Sequence, residues 1–232
     1  LLGVEKVRLF LKQQLSLDDA DKYVEVFEEL YQKHLGRSKK RKKFSTAFST
    51  KGLVICQQIN HEITQKEKLF ILVRLLEFIV SDSEITEVEL DFVETIALEF
   101  NFSELEFKLL KNYVTAESYD SNDVQELMVL SGKDDIKFEN AHQLNVKGLV
   151  GDIMVFRVSS QDSYLIKYIG DETIIMNGFP MEKSLVYPFV NGSAIRNPKI
   201  DPVYYSDITN KYMSDVASEK VYFEATDITY VF

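Results

Sequence analysis

The apolar residues of this 232-residue chain change their spacing once, and that change predicts two kinds of structure. Before residue 118 they recur at helical spacing, as in residues 69–80, which are apolar nearly all round. Later segments, such as residues 152–158, are short and rich in β-branched and aromatic side chains. All four prolines lie in this second part. The sequence therefore predicts an α+β protein of two domains, an all-α helical bundle followed by a small antiparallel β-sandwich.

The boundary falls in the polar stretch at residues 117–132, which interrupts both patterns. We place the helical bundle at residues 1–117, a linker at 118–131 and the β-sandwich at 132–213. The chain starts with Leu1 rather than Met, and it stops at Phe232 within a strand-like run. We therefore expect part of a longer protein, with residues 214–232 leading into a further domain.

Composition and charge exclude several classes of protein. The formal net charge of -10 disfavours nucleic acid as a partner, because phosphates attract basic surfaces. Cys56 is the single cysteine, which excludes an intrachain disulfide or a multi-cysteine zinc site and suits a reducing compartment. No apolar run reaches the roughly 18–20 residues that a membrane-spanning helix needs. These features predict a cytoplasmic location.

Short polar motifs predict where helices begin. Each has Ser or Thr followed three residues later by Asp or Glu, which is the pattern of a capping box. These motifs start at Ser16, Thr64, Thr86 and Ser103. Two of them lie in an internal repeat, because residues 60–78 align without gaps on residues 82–100 with eight identities in nineteen positions. The repeat predicts a pair of helices, each preceded by an acidic turn.

The acidic turns are a candidate metal site, since Ca²⁺, Mg²⁺ and Mn²⁺ prefer hard oxygen ligands. The candidate ligands are Asp82, Glu84, Glu89, Asn60, Glu62 and Glu67. Their spacing is not that of an EF-hand loop, because the central glycine of that loop is absent. In the competing interpretation, Glu67 and Glu89 are capping acids, and the other acids favour a helix N-terminus electrostatically. The sequence leaves both interpretations open.

The sequence DSEITEVE at residues 82–89 resembles the acidic motif of the TerB-like tellurite-resistance family, with Ser83 where many members have glycine. The sequence NHEITQKE at residues 60–67 resembles a diverged copy of that motif. The resemblance covers residues 16–115. It implies an all-helical bundle whose acidic cluster binds metal ions.

In the second half, Asn177-Gly178 followed by the sequence NGSAI at residues 191–195 resembles the last strands of a forkhead-associated sandwich. That resemblance covers residues 130–213. Members of the family bind phosphothreonine partly through a Gly-Arg turn, whereas this chain has Gly170-Asp171, whose carboxylate repels phosphate. The resemblance implies a degenerate phosphopeptide site, with Asn177 and Gly178 forming only a turn.

The last segment, residues 221–232, resembles the opening strand of an ABC-type ATPase domain. The order of the three segments resembles the N-terminal region of a bacterial ABC transporter ATP-binding protein. This implies a non-catalytic regulatory or docking region with two partners, a C-terminal ATPase domain and membrane transporter subunits. The chain has no P-loop sequence, so ATP would bind only in a domain outside it, and the longer protein would be the ATPase. The alternative is a metal-ion-binding stress-response module that acts without an ATPase.

Three further features carry competing interpretations. Residues 37–43 hold six basic side chains, which suit either anionic lipid at the inner face of a membrane or a linker between helices. Cys56 follows an apolar run and is expected in the core rather than in catalysis. Several tyrosines suit either a sandwich core with exposed hydroxyls or a peptide-binding face. They are Tyr164, Tyr168, Tyr187, Tyr204, Tyr205 and Tyr212.

Overall fold

The computed structural model describes residues 56–57, 60–80, 86–120, 123–134, 136 and 138–216. The chain divides into two compact units, Leu1–Thr115 and Ala116–Phe232, here called the first and second units. The described part has helices in the first unit and mainly two sheets in the second, which confirms a mixed α+β protein. The basic segment at residues 37–43, the motif at Ser16 and the strand-like residues 221–232 lie outside the described residues.

Three helices of the first unit have described bounds, α1 (Gln65–Val80), α2 (Glu87–Glu99) and α3 (Glu104–Thr115), and residues 56–57 and 60–62 are also helical. Helix α1 packs against both α2 and α3. Its side chains Leu69, Leu72 and Leu76 are at most 1% exposed. A helix that is apolar nearly all round has to bury several faces at once, which explains why α1 contacts both neighbours. Within the described residues, no helix is long and apolar enough to cross a membrane.

All three helices start at predicted capping boxes. The Thr86 Oγ1 accepts the Glu89 N–H at 3.3 Å, and the Glu89 carboxylate accepts the Thr86 N–H at 3.0 Å. The same reciprocal bonds join Thr64 to Glu67 and Ser103 to Glu106. Each box supplies partners to backbone N–H groups that the helix itself cannot satisfy.

The second unit contains two packed sheets and a final helix. The first sheet has the strand order β2-β1-β3-β4-β7, and the second has the order β6-β5-β8-β9. Helix α4 (Tyr205–Val216) follows β9 directly. The strands are β1 (Leu127–Ser131), β2 (His142–Asn145), β3 (Asp152–Val158), β4 (Ser163–Ile169), β5 (Ile175–Met176), β6 (Phe179–Pro180), β7 (Val186–Phe189), β8 (Ala194–Asn197) and β9 (Ile200–Tyr204). Neighbouring strands are antiparallel except for β1 and β2, which are parallel.

Three details differ from the sequence-based expectation. Residues 127–131, which we assigned to the linker, form β1 between β2 and β3. Every residue of β1 is buried, so this strand has no alternation of apolar and polar residues by which to recognise it. The dipeptide Gly170-Asp171, whose composition is typical of a hairpin turn, instead connects strands β4 and β5 of different sheets. Residues 214–216, which we assigned to the segment after the sandwich, are the last residues of helix α4.

The core of the second unit lies between the two sheets and helix α4. It includes Met128, Val155 and Ile166 from the first sheet and Ile195 and Val203 from the second. Helix α4 adds Ile208 and Tyr212, which are 0% and 2% exposed. Because α4 shares this core, it is an integral part of the second unit.

Three of the four prolines lie in strands at the edges of the sheets. Pro180 lies in β6, Pro188 in β7 and Pro202 in β9, and each of these is an edge strand. Proline has no N–H to donate, so it is tolerated at an edge and discourages the addition of another strand. Helix α4 packs against β9 and against the fourth edge strand, β2. Strand addition is therefore a poor way for a partner to bind this unit.

Candidate functional site

Asn60 lies in a helical stretch, residues 60–62, rather than in the acidic turn that we expected there, and together with Gln65 it holds the C-terminal end of α2. The Asn60 Nδ2 donates a hydrogen bond to the Glu99 carbonyl at 2.7 Å, and the Gln65 Nε2 donates one to the Phe100 carbonyl. Carbonyls at the end of a helix have no donor within the helix, so these side chains supply one. The sequence contains no signal for this role, because Asn60 and Gln65 are separated from their partners by 39 and 35 residues.

Only four of the six predicted metal ligands lie among the described residues. Asp82 and Glu84 lie outside the described residues, and Glu62 is exposed. The carboxylates of Glu67 and Glu89 accept the hydrogen bonds of their capping boxes. Within the described residues, no group of three or more His, Cys, Asp and Glu side chains is placed to hold a metal ion. Asn60 contributes one suitable atom, because its Oδ1 is buried without a hydrogen-bond partner.

Changing Thr64 to alanine tests whether Glu67 is a capping acid. The Thr64 hydroxyl and then its N–H lower the pKa of the Glu67 carboxyl. We expect Thr64→Ala to raise this pKa toward its ordinary value and to cost about 0.5–2 kcal/mol of the unfolding free energy. NMR titration of the Glu67 carboxyl carbon measures the pKa, and urea denaturation measures the stability. An unchanged pKa in the variant would contradict the capping role.

Cys56 is buried, as expected, and only 4% exposed. Burial raises the pKa of its thiol, and the charge of Glu99 raises it further. A thiol with a raised pKa is mostly protonated near neutral pH and is a poor nucleophile. The described surroundings of Cys56 therefore favour a role in packing.

Three of the tyrosines bind loop backbone with their hydroxyls, so the expectation of exposed hydroxyls is wrong for them. The Tyr168 hydroxyl donates to the Val150 carbonyl at 2.8 Å. The Tyr187 hydroxyl accepts the Glu182 N–H at 2.9 Å. The Tyr212 hydroxyl lies 2.8 Å from the Glu126 carbonyl. These side chains have an apolar ring in the core and a polar end that fixes a loop.

Of the remaining tyrosines, Tyr204 ends β9, Tyr205 begins α4 and Tyr164 lies in β4. The rings of Tyr164 and Tyr205 meet edge to face, with centroids 5.5 Å apart, and Tyr164 also lies 5.6 Å from the ring of Tyr212. Burial raises the pKa of all three hydroxyls. Arg157 lies over the Tyr212 ring. Tyr204 is the most exposed of the six predicted tyrosines, at 45%. This packing explains the tyrosines without a bound peptide.

Asn177 and Gly178 form a turn in which the Asn177 side chain makes two hydrogen bonds. Both residues have positive φ, at 52° and 89°, as the tight turn between β5 and β6 requires. The Asn177 Oδ1 accepts the Ala194 N–H at 2.9 Å, and its Nδ2 donates to the Ser193 Oγ at 3.2 Å. These bonds join the turn to a second turn, at residues 190–193. We call residues 177–179 and 190–193 the turn pair.

Asp171, whose carboxylate we expected to repel a phosphate, is paired with a lysine. The Asp171 carboxylate accepts a hydrogen bond from the Lys183 Nζ at 2.6 Å. This lysine lowers the pKa of Asp171, and the aspartate raises the pKa of Lys183. An exposed pair of this kind contributes little to stability. Under the predicted forkhead-associated resemblance, this carboxylate would stand where the family has a phosphate-binding arginine.

The turn pair carries two exposed apolar side chains that the sequence patterns do not predict. Phe179 is 76% exposed and Val190 is 55% exposed. Their only signal in the sequence is that each lies beside an Asn-Gly dipeptide, where a chain turns at the surface. Exposed apolar side chains on a fixed turn can contact the surface of another protein.

The loop before β2 is held by a single carboxylate. Asp123 accepts the backbone N–H groups of Ala141, Glu139 and Asn140 at 2.7, 2.8 and 2.9 Å. The first two bonds lower its pKa most. Hydrogen bonds to the ionised form stabilise the carboxylate relative to the acid. Asp123 thus fixes the crossover that makes β1 and β2 parallel.

We expect acid to release this loop. Because the folded pKa of Asp123 is lowered, its stabilising effect is present above the unfolded pKa and is lost as the pH falls through the folded value. In Asp123→Asn the loop should be loosened at every pH, and its stability should no longer depend on the protonation of residue 123. Hydrogen exchange at the amides of residues 139–141 measures the effect. Equal protection in parent and variant would contradict the prediction.

Comparisons with known proteins add no relative. A scan against protein-family models finds no match for this chain, and searches of curated proteins and of solved structures find no significant match. The TerB-like and forkhead-associated resemblances therefore stay predictions.

Proposed function

We propose that this chain is a non-catalytic regulatory or docking region of an ABC transporter ATP-binding protein. In this proposal a TerB-like helical bundle and a forkhead-associated-like sandwich precede the ATPase domain. One observation carries the proposal. Helix α4, which leads toward the ATPase-like residues 221–232, is built into the core of the second unit through Ile208 and Tyr212.

Helix α4 is attached to the rest of the second unit at two places along its length. At its start, the Asp207 carboxylate accepts the Tyr204 N–H at 2.8 Å. One turn beyond Ile208, the Tyr212 ring packs edge to face on His142, with centroids 4.7 Å apart. Because α4 cannot move without disturbing this core, a displacement of the segment that follows it would be passed to the sheets. A docking region that reports on an attached domain needs this kind of coupling.

The turn pair is the surface on which we expect a partner to bind. Its apolar side chains, Phe179 and Val190, are supported by the bonds of Asn177 to Ser193 and Ala194. A surface that is fixed before binding loses less conformational entropy when a partner covers it. This favours a protein surface as the ligand, in agreement with transporter subunits as partners.

The first test of the proposal is the coding sequence that follows residue 232. We expect a G-x-x-x-x-G-K-[ST] sequence shortly after this point. In the longer protein, Tyr212→Ala should then change the rate of ATP hydrolysis at least about twofold, because it frees α4 from its core. Tyr204→Ala is the matched control, since Tyr204 is 45% exposed, and should leave the rate unchanged. Absence of the P-loop sequence, or equal rates in parent and Tyr212→Ala, would remove the proposal.

One observation favours the alternative function, a metal-ion-binding module. The unpartnered Asn60 Oδ1 is a hard oxygen in one of the two predicted acidic turns. Titration calorimetry with millimolar Ca²⁺ or Mn²⁺ separates the two functions, because docking predicts no heat of binding. If metal binds near Asn60, Asn60→Asp should tighten it by adding a charge. Glu104→Gln, which changes an exposed acid outside the repeat, is the control.

A further inference from the structure

The chain contains two Asn-Gly dipeptides, Asn177-Gly178 and Asn191-Gly192, and both lie in the turn pair. Glycine has no side chain to hinder its backbone nitrogen, and this nitrogen can attack the Cγ of the asparagine that precedes it. The two sites have the same local sequence but different surroundings. We propose that Asn191 is a site of spontaneous deamidation, whereas the folded structure protects Asn177.

The reaction needs only water and hydroxide. The Gly192 amide nitrogen loses its proton to hydroxide and attacks the Asn191 Cγ. A bond forms between these two atoms, the Cγ–Nδ2 bond breaks, and the Asn191 Nδ2 takes a proton from water and leaves as ammonia, which regenerates the hydroxide. Water then opens the cyclic imide at either carbonyl, which yields aspartate or isoaspartate at position 191. A neutral carboxamide is thereby replaced by a carboxylate, with no oxidant or cofactor.

The surroundings of Asn191 permit the attack. Asn191 and Gly192 are the central residues of a turn closed by the bond from the Ser193 N–H to the Val190 carbonyl, at 2.9 Å. Both residues are exposed, and the described contacts assign no hydrogen bond to the Asn191 side chain. Gly192 has a φ of 87°, and no atom lies within 4 Å of the position that its Cβ would occupy. The peptide between the two residues can therefore rotate toward the side chain.

The surroundings of Asn177 oppose the attack. Its Oδ1 accepts the Ala194 N–H, its Nδ2 donates to the Ser193 Oγ, and its own N–H donates to the Ala194 carbonyl at 3.1 Å. Bringing the Asn177 Cγ to the Gly178 nitrogen breaks both side-chain bonds. The net contribution of two such bonds corresponds to a rate difference of roughly tenfold or more. Hence the hydrogen-bonded asparagine should react more slowly than Asn191.

Reaction at position 191 should also affect position 177. Isoaspartate adds an atom to the backbone of the turn that Ser193 closes. The Ser193 Oγ accepts bonds from both the Asn177 Nδ2 and the Val190 N–H, the latter at 3.2 Å. Distortion of this turn weakens the protection of Asn177. We therefore expect the two modifications to occur in order, with Asn191 first.

Peptide mapping of the whole chain tests the proposal after incubation in mildly alkaline buffer. Trypsin separates the sites, because cleavage at Lys167, Lys183 and Arg196 gives peptides 168–183 and 184–196. We expect deamidation in peptide 184–196 to be roughly tenfold or more faster than in peptide 168–183. In denaturant the two rates should converge. Comparable rates in the folded protein, a faster reaction at Asn177, or no reaction at Asn191 would each overturn the proposal.

Two variants assign the effect to these contacts. Asn191→Gln should nearly abolish deamidation in peptide 184–196 and leave Asn177 protected. Ser193→Ala removes the acceptor of the Asn177 Nδ2 and should speed deamidation in peptide 168–183 severalfold. If Ser193→Ala folds and the rate at Asn177 does not rise, hydrogen bonding is not what protects it, and the proposal fails.

Discussion

Replacing Gly148 with alanine is expected to destabilise the second unit by roughly 2–5 kcal/mol. Gly148 has a φ of 88°, a conformation that an L side chain adopts only with strain. An added Cβ would also meet the Lys199 carbonyl oxygen inside van der Waals contact, and backbone cannot move aside as a flexible side chain can. The variant therefore combines conformational strain with a steric clash between two loops. Urea denaturation followed by circular dichroism measures the loss.

Gly178 provides a matched control for this prediction. Its φ of 89° is nearly the same as that of Gly148, but no atom lies within 4 Å of the position of an added Cβ. Gly178→Ala should therefore cost only the conformational strain, about 1–2 kcal/mol. The difference between the two variants isolates the contact with Lys199. If both variants lose the same stability, the approach of these loops contributes nothing and the prediction is wrong.

The sequence identified features that depend on neighbours within a few residues. A capping box needs only a hydroxyl and an acid three positions apart, so Thr64, Thr86 and Ser103 could be recognised as helix starts. Strand β3 was recognised with its observed bounds, Asp152–Val158, because its composition is typical of a buried strand.

Features that depend on distant partners could not be predicted. Strand β1 is buried throughout and follows a polar stretch, so neither alternation nor a turn signal marked it as a strand. The sequence indicates Asn60 as a candidate metal ligand, whereas in the structure its side-chain amide donates a hydrogen bond to the Glu99 carbonyl at the end of α2. Asn177 appeared to form only a turn, whereas it also ties two turns together through Ser193. In each case the sequence contains the polar group but not its partner.

Replacing Leu72 with alanine is the second prediction with a large expected effect, roughly 2–5 kcal/mol of the unfolding free energy of the first unit. Leu72 lies in α1 and is 0% exposed. Removing most of its side chain loses the transfer free energy of the buried carbons and leaves a cavity. Helix α1 packs against both α2 and α3, so closing that cavity would require two contacts to shift together. We therefore expect little relaxation and a loss toward the upper end of this range.

The control is Leu105→Ala, because Leu105 lies in α3 and is 65% exposed. The same chemical change at this exposed position should alter stability by no more than about 0.5 kcal/mol. Hydrogen exchange at the amides of α1 should report the Leu72 effect locally and show no change in Leu105→Ala. A small loss at Leu72 would mean that α1 is not central to the packing of the first unit. The helical bundle that the docking proposal includes would then lack a central helix.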